Sequence, residues 1–331
     1  MTLLIGRRRR AFALVAALAT VGAVVAGTAI ASSSSSGKAR KAAATQMVIA
    51  MVTHGDGGSF WSVAKRGAQQ AARDLGVTLR YSESNNDPKR QAQLILAAVS
   101  QRVDGLAVSA PNPSALKSAL ARAGRANIPI ITLNSGADQF KELGAITHVG
   151  QTETVAGQGA GERLKAAGAK KLVCVVHEQN NIGLNQRCAG ARKTFGGSFQ
   201  TLQVAGTGNI STTKSQIQAK LQADRTIDAV LALNPDIAIA AQDAIAGARS
   251  KARLATFDLS GTVISAIKSG KILFAVDQQQ YAQGYLPVVL LYLNNINAHE
   301  LGGGLPILTG PGFVTKENAA KVEALAKKGA R

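Results

Sequence analysis

Apolar runs of strand length alternate with segments of helical period along almost the whole chain, and this alternation narrows the possible folds more than any other feature. Strands are expected over 47–53, 78–81, 105–109, 128–133 and 145–149, with helices over 60–75, 89–101 and 114–126 between them. A second series follows, with strands over 171–176, 201–204, 229–233 and 253–257 and helices over 183–195, 212–222 and 236–246. It closes with a helix near 263–269, a strand over 272–276, a long apolar helix over 281–294 and an extended stretch around 306–314. Strands joined through helices pair in parallel, and their sheets are buried on both faces. Two such series predict an α/β protein with two doubly wound parallel sheets. The punctuation agrees: Pro129 ends a helix before a strand, Gly76 and Gly270 stand where helices stop, and Asp87-Pro88 is suited to cap and open one.

Ahead of this body, Arg7, Arg8, Arg9 and Arg10 precede an uncharged stretch rich in Ala, Val and Leu that ends in Ala29-Ile30-Ala31. A basic head, an apolar middle and a small-residue box, in that order, read as a cleaved secretory signal over 1–31. The stretch is about long enough to span a bilayer, but its Ala, Gly and Thr content makes it weakly hydrophobic, which favours cleavage over a retained anchor. Arg9-Arg10-Ala11-Phe12 also fits a loose twin-arginine pattern. No Cys follows to carry a lipid, so the expected location is the periplasm or cell envelope, without a lipid anchor. Residues 32–46 are Ser-rich and then Lys/Ala-rich, with little to bury, and read as a flexible leader.

The formal net charge is +19, and without the four arginines of the signal it is +15. The basic residues are dispersed (Lys65, Arg73, Lys117, Arg122, Lys165 and others) and aromatic residues make up only 4% of the chain, so no nucleic-acid partner is expected. The charge reads as a solvated surface facing acidic envelope components, with an anionic ligand as the second reading. Cys174 and Cys188 are able to pair in an oxidising compartment, while Cys174 also suits a buried thiol in a strand; spacing does not choose between them.

In open α/β sheets the ligand crevice lies beyond the C-terminal ends of the strands, so the residues there are the informative ones. After the first strand the loop Thr53-His54-Gly55-Asp56-Gly57-Gly58-Ser59-Phe60-Trp61 runs into a helix expected to be capped by Ser59. It is not a dinucleotide fingerprint, because Phe60 stands where the third glycine belongs, and it lacks the alternating carboxylates of a calcium loop. The rings of Phe60 and Trp61 suit the C–H face of a sugar; the alternative is that they belong to the core of the following helix. Polar groups end the other strands: Asn134-Ser135, Asn180-Asn181, Asn234, Asp258 and Asp277-Gln278-Gln279-Gln280. Amides and carboxylates match the paired donors and acceptors of vicinal hydroxyls, although Asn and Asp at such places also serve as helix caps. No nucleophile elbow and no H-E-x-x-H is present, and His54, His148, His177 and His299 lack ligand-type spacing and read as surface or loop residues. Asp258 has no partner nucleophile and reads as a hydrogen-bond acceptor. No catalytic residue, metal or cofactor is therefore expected.

The chain resembles the ribose-type periplasmic sugar-binding proteins of ABC importers. The likeness runs through 48–75, 91–113, 127–134, 256–260 and 270–284, most specifically in Gly-Lys-Ile-Leu-Phe-Ala-Val-Asp-Gln-Gln from Gly270 to Gln279. The same fold serves sugar-responsive repressors, but a signal stands here in place of a DNA-binding headpiece. The resemblance implies a type I periplasmic-binding fold with three hinge crossings: an N-terminal lobe of 47–149 plus 280–299 and a C-terminal lobe of 150–279 plus 300–331. It implies ligand contacts from Phe60, Trp61, Asn134, Ser135, Arg187, Asn234, Asp258 and Gln278. It also implies a monomer that delivers a sugar or polyol to a membrane permease with its ATPase. Two departures tell against a simple pentose: the first loop lacks an Asn-Pro before its aromatics, and Asn134-Ser135 replaces the common Asp-Arg pair. Inositol-like polyols, furanosyl signals, nucleosides and acidic sugars are the alternative ligands. A sensor-coupled protein or an exported hydrolase are the alternative roles.

Overall fold

The computed structural model describes residues 46–331, so the expected signal over 1–31 and all but the last residue of the expected leader lie outside the described residues. The first sheet is built from β1 (Val48–Thr53), β2 (Thr78–Glu83), β3 (Gly105–Ser109), β4 (Ile130–Leu133) and β5 (Thr147–Gln151). Between these strands run α1 (Ser59–Leu75), α2 (Pro88–Ser100) and α3 (Pro113–Arg125). The second half contributes α4 (Glu153–Ala166), β6 (Lys171–Val176), α5 (Ile182–Phe195), β7 (Ser198–Gln203), α6 (Ile210–Ala223), β8 (Ala229–Ala232) and α7 (Pro235–Gly247). It continues through β9 (Arg253–Phe257), α8 (Gly261–Lys268), β10 (Phe274–Asp277), α9 (Gln280–Asn297), β11 (Ile307–Gly310), β12 (Gly312–Thr315) and α10 (Ala319–Lys327).

The two sheets have matching orders, β11-β5-β4-β3-β1-β2 and β12-β10-β9-β8-β6-β7, parallel except for the antiparallel pair of β10 and β12. The chain crosses between them after β5, after β10 and between β11 and β12. This is the expected α/β architecture of two doubly wound sheets. One boundary differs: β11 pairs with β5, so 307–310 belongs to the first sheet, and the third crossing comes at Pro311 rather than near residue 300. The expected single extended stretch was two strands because its Gly-Pro-Gly segment interrupts pairing.

Central strands are apolar and closed on both faces; β3 and β8 are buried at every position. The outer strands β2 and β7 are half-exposed, and the polar start of β7 at Ser198 is why its first turn of sheet was not legible as strand. Each sheet carries a helix pair crossing at glycines. A Cβ on Gly284 of α9 would lie 1.8 Å from the Ala64 carbonyl oxygen of α1. One on Gly157 of α4 would lie 2.1 Å from the carbonyl oxygen of Arg187 on α5. Any side chain there would force the backbones apart. Gly157 thereby sets α4 close enough for one of its side chains to reach Arg187.

Cys174 on β6 and Cys188 on α5 form a disulfide with a Cα–Cα distance of 5.9 Å. It ties the helix carrying Arg187 to the strand next to the sheet's β7 edge, and a loop of this size is worth ~3 kcal/mol. Asp87 caps α2 through its side chain and Pro88 opens it, as the sequence indicates. Ser59 does not cap α1: the cap residue is Gly58, which has no side chain to offer, and Ser59 is the first helical residue.

Candidate functional site

Seven of the eight residues anticipated as ligand contacts line one cavity between the C-terminal ends of the two sheets: Phe60, Trp61, Asn134, Arg187, Asn234, Asp258 and Gln278. The first turn of α1, after β1, and the loop after β4 bring Phe60, Trp61 and Asn134 from the first sheet. Helix α5 and the segments after β8, β9 and β10 bring Arg187, Asn234, Asp258 and Gln278 from the second. Ser135 is buried but does not line the cavity; its hydroxyl donates to Asn134 Oδ1 at 3.2 Å and Asn181 Oδ1 at 3.1 Å. It orients those amides instead.

Asn134 and Asp258 occupy equivalent places, at the ends of β4 and β9. Both have left-handed backbones, with φ of 61° and 68°, a conformation that Asn and Asp tolerate better than bulkier residues. Gln278, at the crossing after β10, joins them: its Nε2 donates to Asp258 Oδ1 at 2.8 Å and its Oε1 accepts from Asn134 Nδ2 at 3.4 Å. Gln283 of α9 supports it, donating to Gln278 Oε1 at 2.8 Å.

Arg187 lies across the cavity from the rings. Its Nε and Nη2 donate to the two oxygens of Glu153 at 2.6 and 2.8 Å, and Nη1 donates to the Leu233 carbonyl at 3.2 Å. One guanidinium face lies 4.5 Å from the centre of the Phe257 ring. Of the five N–H groups of an arginine, these bonds engage three. Burial alone would depress the guanidinium's pKa; the facing Glu153 carboxylate holds it above its ordinary value. Burial pushes the Asp258 carboxyl up to about 7, against the pull of Arg187.

Phe60 and Trp61 belong to the core of the following helix, as one of the two readings of the sequence had it, and also stand at the cavity. They are 4% exposed and pack into the apolar core beneath β1, yet their rings also border the cavity. Trp61 stands edge-on to Phe60 at 4.9 Å and to His54 at 4.7 Å between centroids. Asn234 likewise has two uses: its Oδ1 caps α7, accepting from Asp236 N at 2.7 Å, while the residue borders the cavity.

The histidines are a correction to the sequence reading. His54, His148 and His177 are buried rather than superficial, and burial lowers each to about 3. His54 and His177 line the cavity. Glu178 joins them, at 3.6 Å from His54 Nε2 and 3.8 Å from His177 Nε2, and burial raises its carboxyl to about 7. Asn181 Nδ2 bridges Glu178 Oε2 at 2.6 Å and His54 Nε2 at 3.3 Å. Sequence reasoning also passed over Glu153. Its helix α4 was not foreseen, because Gly157, Gly159 and Gly161 interrupt the apolar period and lower helix propensity.

The two sheets are hydrogen-bonded across the crevice. Ser59 of α1 donates to Asp236 of α7 through its N–H (3.1 Å) and hydroxyl (2.6 Å), Gln186 donates to Asp138 (2.7 Å), and the Ile182 N–H donates to the Pro111 carbonyl (3.0 Å). The open space in the cavity is about 30 Å³, enough for a water or two. A six-membered ring enters only when the lobes part or side chains turn. Among the described residues no group of three or more His, Cys, Asp or Glu side chains is placed to hold a metal ion, and no helix is long and apolar enough to cross a membrane.

Two α/β lobes meeting over a polar cavity, with aromatic rings on one side and a buried Arg–carboxylate array on the other, define a hinged solute-binding protein. The chain belongs to the periplasmic binding protein family, whose domain profile it matches over residues 49–294. It is similar to the carbohydrate transporter of Acidothermus cellulolyticus 11B, crystallised in complex with myo-inositol: 42% identity, 86% of this chain and all of that one, TM-score 0.85. It is 26% identical to the ribose import binding protein RbsB of Haemophilus influenzae over 275 residues, covering 82% of this chain and 90% of that protein. It is 24% identical to the xylose/arabinose-binding protein XylF of Sulfolobus acidocaldarius over 288 residues, 82% of this chain and 71% of that one.

Proposed function

We propose that this protein captures a small, neutral, polyhydroxylated ring, a cyclitol or monosaccharide, between its two lobes and hands it to an ABC permease. One observation carries the reading: an aromatic pair, the amides of Asn134, Asn234 and Gln278, the carboxylate of Asp258 and a guanidinium converge on one crevice that both sheets close. The rings of Phe60 and Trp61 suit the C–H face of the ligand. Asn134, Asn234, Asp258, Gln278 and the free N–H groups of Arg187 suit its hydroxyls. The relative bound to myo-inositol and the ribose and pentose importers support this ligand class. Myo-inositol comes first because Asn134-Ser135 stands where pentose binders of the family have Asp-Arg.

In this reading the ligand bridges both lobes and so favours the closed form, which the permease recognises. The protein acts by binding alone, as a monomer, after export directed by residues 1–31 and without a lipid anchor. A thermal-shift screen of cyclitols, hexoses and pentoses, followed by calorimetry, tests it. The expected result is saturable binding near micromolar, about −8 kcal/mol, with ~2.7 kcal/mol of added stability at a hundredfold excess over Kd. If none of these ligands stabilises the protein, the assignment falls.

A further inference from the structure

Beside the inner cavity lies a second and larger chamber of about 280 Å³; none of the eight residues that the resemblance implies as ligand contacts lines it, although Asn180 and Asn181 of the polar strand ends do. It is a half-open cleft walled by both lobes: Asp56, Asn86 and Asn112 from the first, Gln179, Asn180 and Thr207 from the second. His54, His177, Glu178 and Asn181 line both spaces, so a single layer of side chains separates them. That layer is incompletely bonded, since Nδ1 of His177 is buried without a partner. Buried polar atoms normally find one. The chamber approaches the ~300 Å³ at which small-molecule pockets begin, and it persists with the lobes hydrogen-bonded together. Side-chain amides are the commonest groups on its walls, joined by the hydroxyl of Thr207. Its ionisable side chains other than histidine are two carboxylates, Asp56 and Glu178, and neither Lys nor Arg lines it.

Building on the proposed function, we infer that the outer chamber is a second subsite, and that the ligand is a two-ring compound: the polyhydroxylated ring in the inner cavity carries a neutral glycosyl group in the outer one. Amides on opposing walls match the hydroxyls of a second sugar ring. The two carboxylates, with neither Lys nor Arg among the lining residues, disfavour a phosphate or uronate substituent despite the basic surface of the chain as a whole.

Calorimetry on the full-length mature protein tests this with three probes: myo-inositol, its O-galactosyl derivative and its monophosphate. The galactosyl derivative is expected to bind at least fivefold tighter than myo-inositol, and the phosphate at least tenfold more weakly. Ala205→Trp, at the exposed rim of the chamber, is expected to remove the advantage of the second ring and leave myo-inositol binding within twofold, which also certifies the fold. If myo-inositol binds and its galactosyl derivative binds no better, or if Ala205→Trp weakens both equally, the second subsite is refuted and the sugar-binding reading stands. If neither binds, nor any other ring of the screen with or without its galactosyl group, the sugar-binding reading itself is refuted and the subsite with it.

Discussion

Helix α1 begins without a side-chain cap of its own, and Asp236 from the other lobe supplies one. Its Oδ2 accepts from the Ser59 N–H at 3.1 Å and its Oδ1 from the Ser59 hydroxyl at 2.6 Å. Asp236 also lies in the first turn of α7, so one carboxylate faces the positive ends of two helices. The interaction with α7 is present in open and closed forms and cancels, whereas the bonds to α1 exist only when the lobes meet. Hydrogen bonds to a charged acceptor are worth ~1.5–3 kcal/mol, and this pair is partly exposed, so the lower half of that range applies. Asp236→Ala should therefore cost the closed form ~1.5–2 kcal/mol. Where binding requires closure, that is about a 10- to 30-fold rise in Kd. The loss should fall on the dissociation rate and affect all ligands alike, because Asp236 does not border the inner cavity. Stopped-flow dissociation and small-angle scattering of the unliganded protein check it, and Ser59→Ala should lose about half as much. Affinity within twofold of wild type, or a loss confined to one ligand, would refute the latch.

Two further outcomes follow from the buried charges. Arg187→Ala should abolish tight binding and also destabilise the fold by ~3–5 kcal/mol, because it strands Glu153 as an unpaired buried carboxylate; Arg187→Met with Glu153→Leu should recover the stability in urea titrations but not the binding. Stability should fall as pH drops from 6.5 toward 3, because His54, His148 and His177 are held near 3 and the unfolded chain takes up protons that the fold refuses. Asp258 and Glu178, raised to about 7, act oppositely, since the folded form holds more protons between about 4 and 7 and their contribution declines as pH rises through that window. His148→Gln, at a residue that does not line the inner cavity, should make the acid limb shallower by up to ~1.4 kcal/mol per pH unit; superimposable profiles for variant and wild type would contradict the assignment.

The layered fold was legible because central parallel strands are apolar throughout and their helices have a clear period. Legibility failed where that physics does not operate. The outer strand β7 is half-wet and starts in polar residues, and α4 is a glycine-rich helix selected for close approach rather than for propensity. With α4 went Glu153, a residue whose importance lies wholly in its distance to Arg187. The strand-end rule located Asn134, Asn234, Asp258 and Gln278, since position along a strand is a sequence property. It could not divide the duties of Asn234 between cap and cavity, nor show Ser135 turned toward Asn181. His54 and His177 were misjudged because spacing identifies metal ligands, whereas these two stand where the lobes meet; His148 is buried inside its own sheet, in β5 beside Thr132 of β4.

The charges around the inner cavity are divided unequally, and the division bears on how closure works. Arg187, Glu178 and Asp258 line it from the second lobe, with Glu153 behind Arg187; the first lobe offers rings and the neutral Asn134. The costly step of pairing the guanidinium is thus taken within one lobe, where Gly157, the disulfide and the Phe257 ring hold it against Glu153, and does not wait for closure. What remains for closure is a set of small contacts between lobes, each worth about 1 kcal/mol or a little more, a balance that a ligand is able to tip. A solute touching only the charged lobe would bind open and closed forms equally and shift nothing. Phe60, Trp61 and Asn134 supply the difference between the two states, so substitutions on the first lobe should separate ligand docking from lobe closure, and substitutions at Arg187 should not.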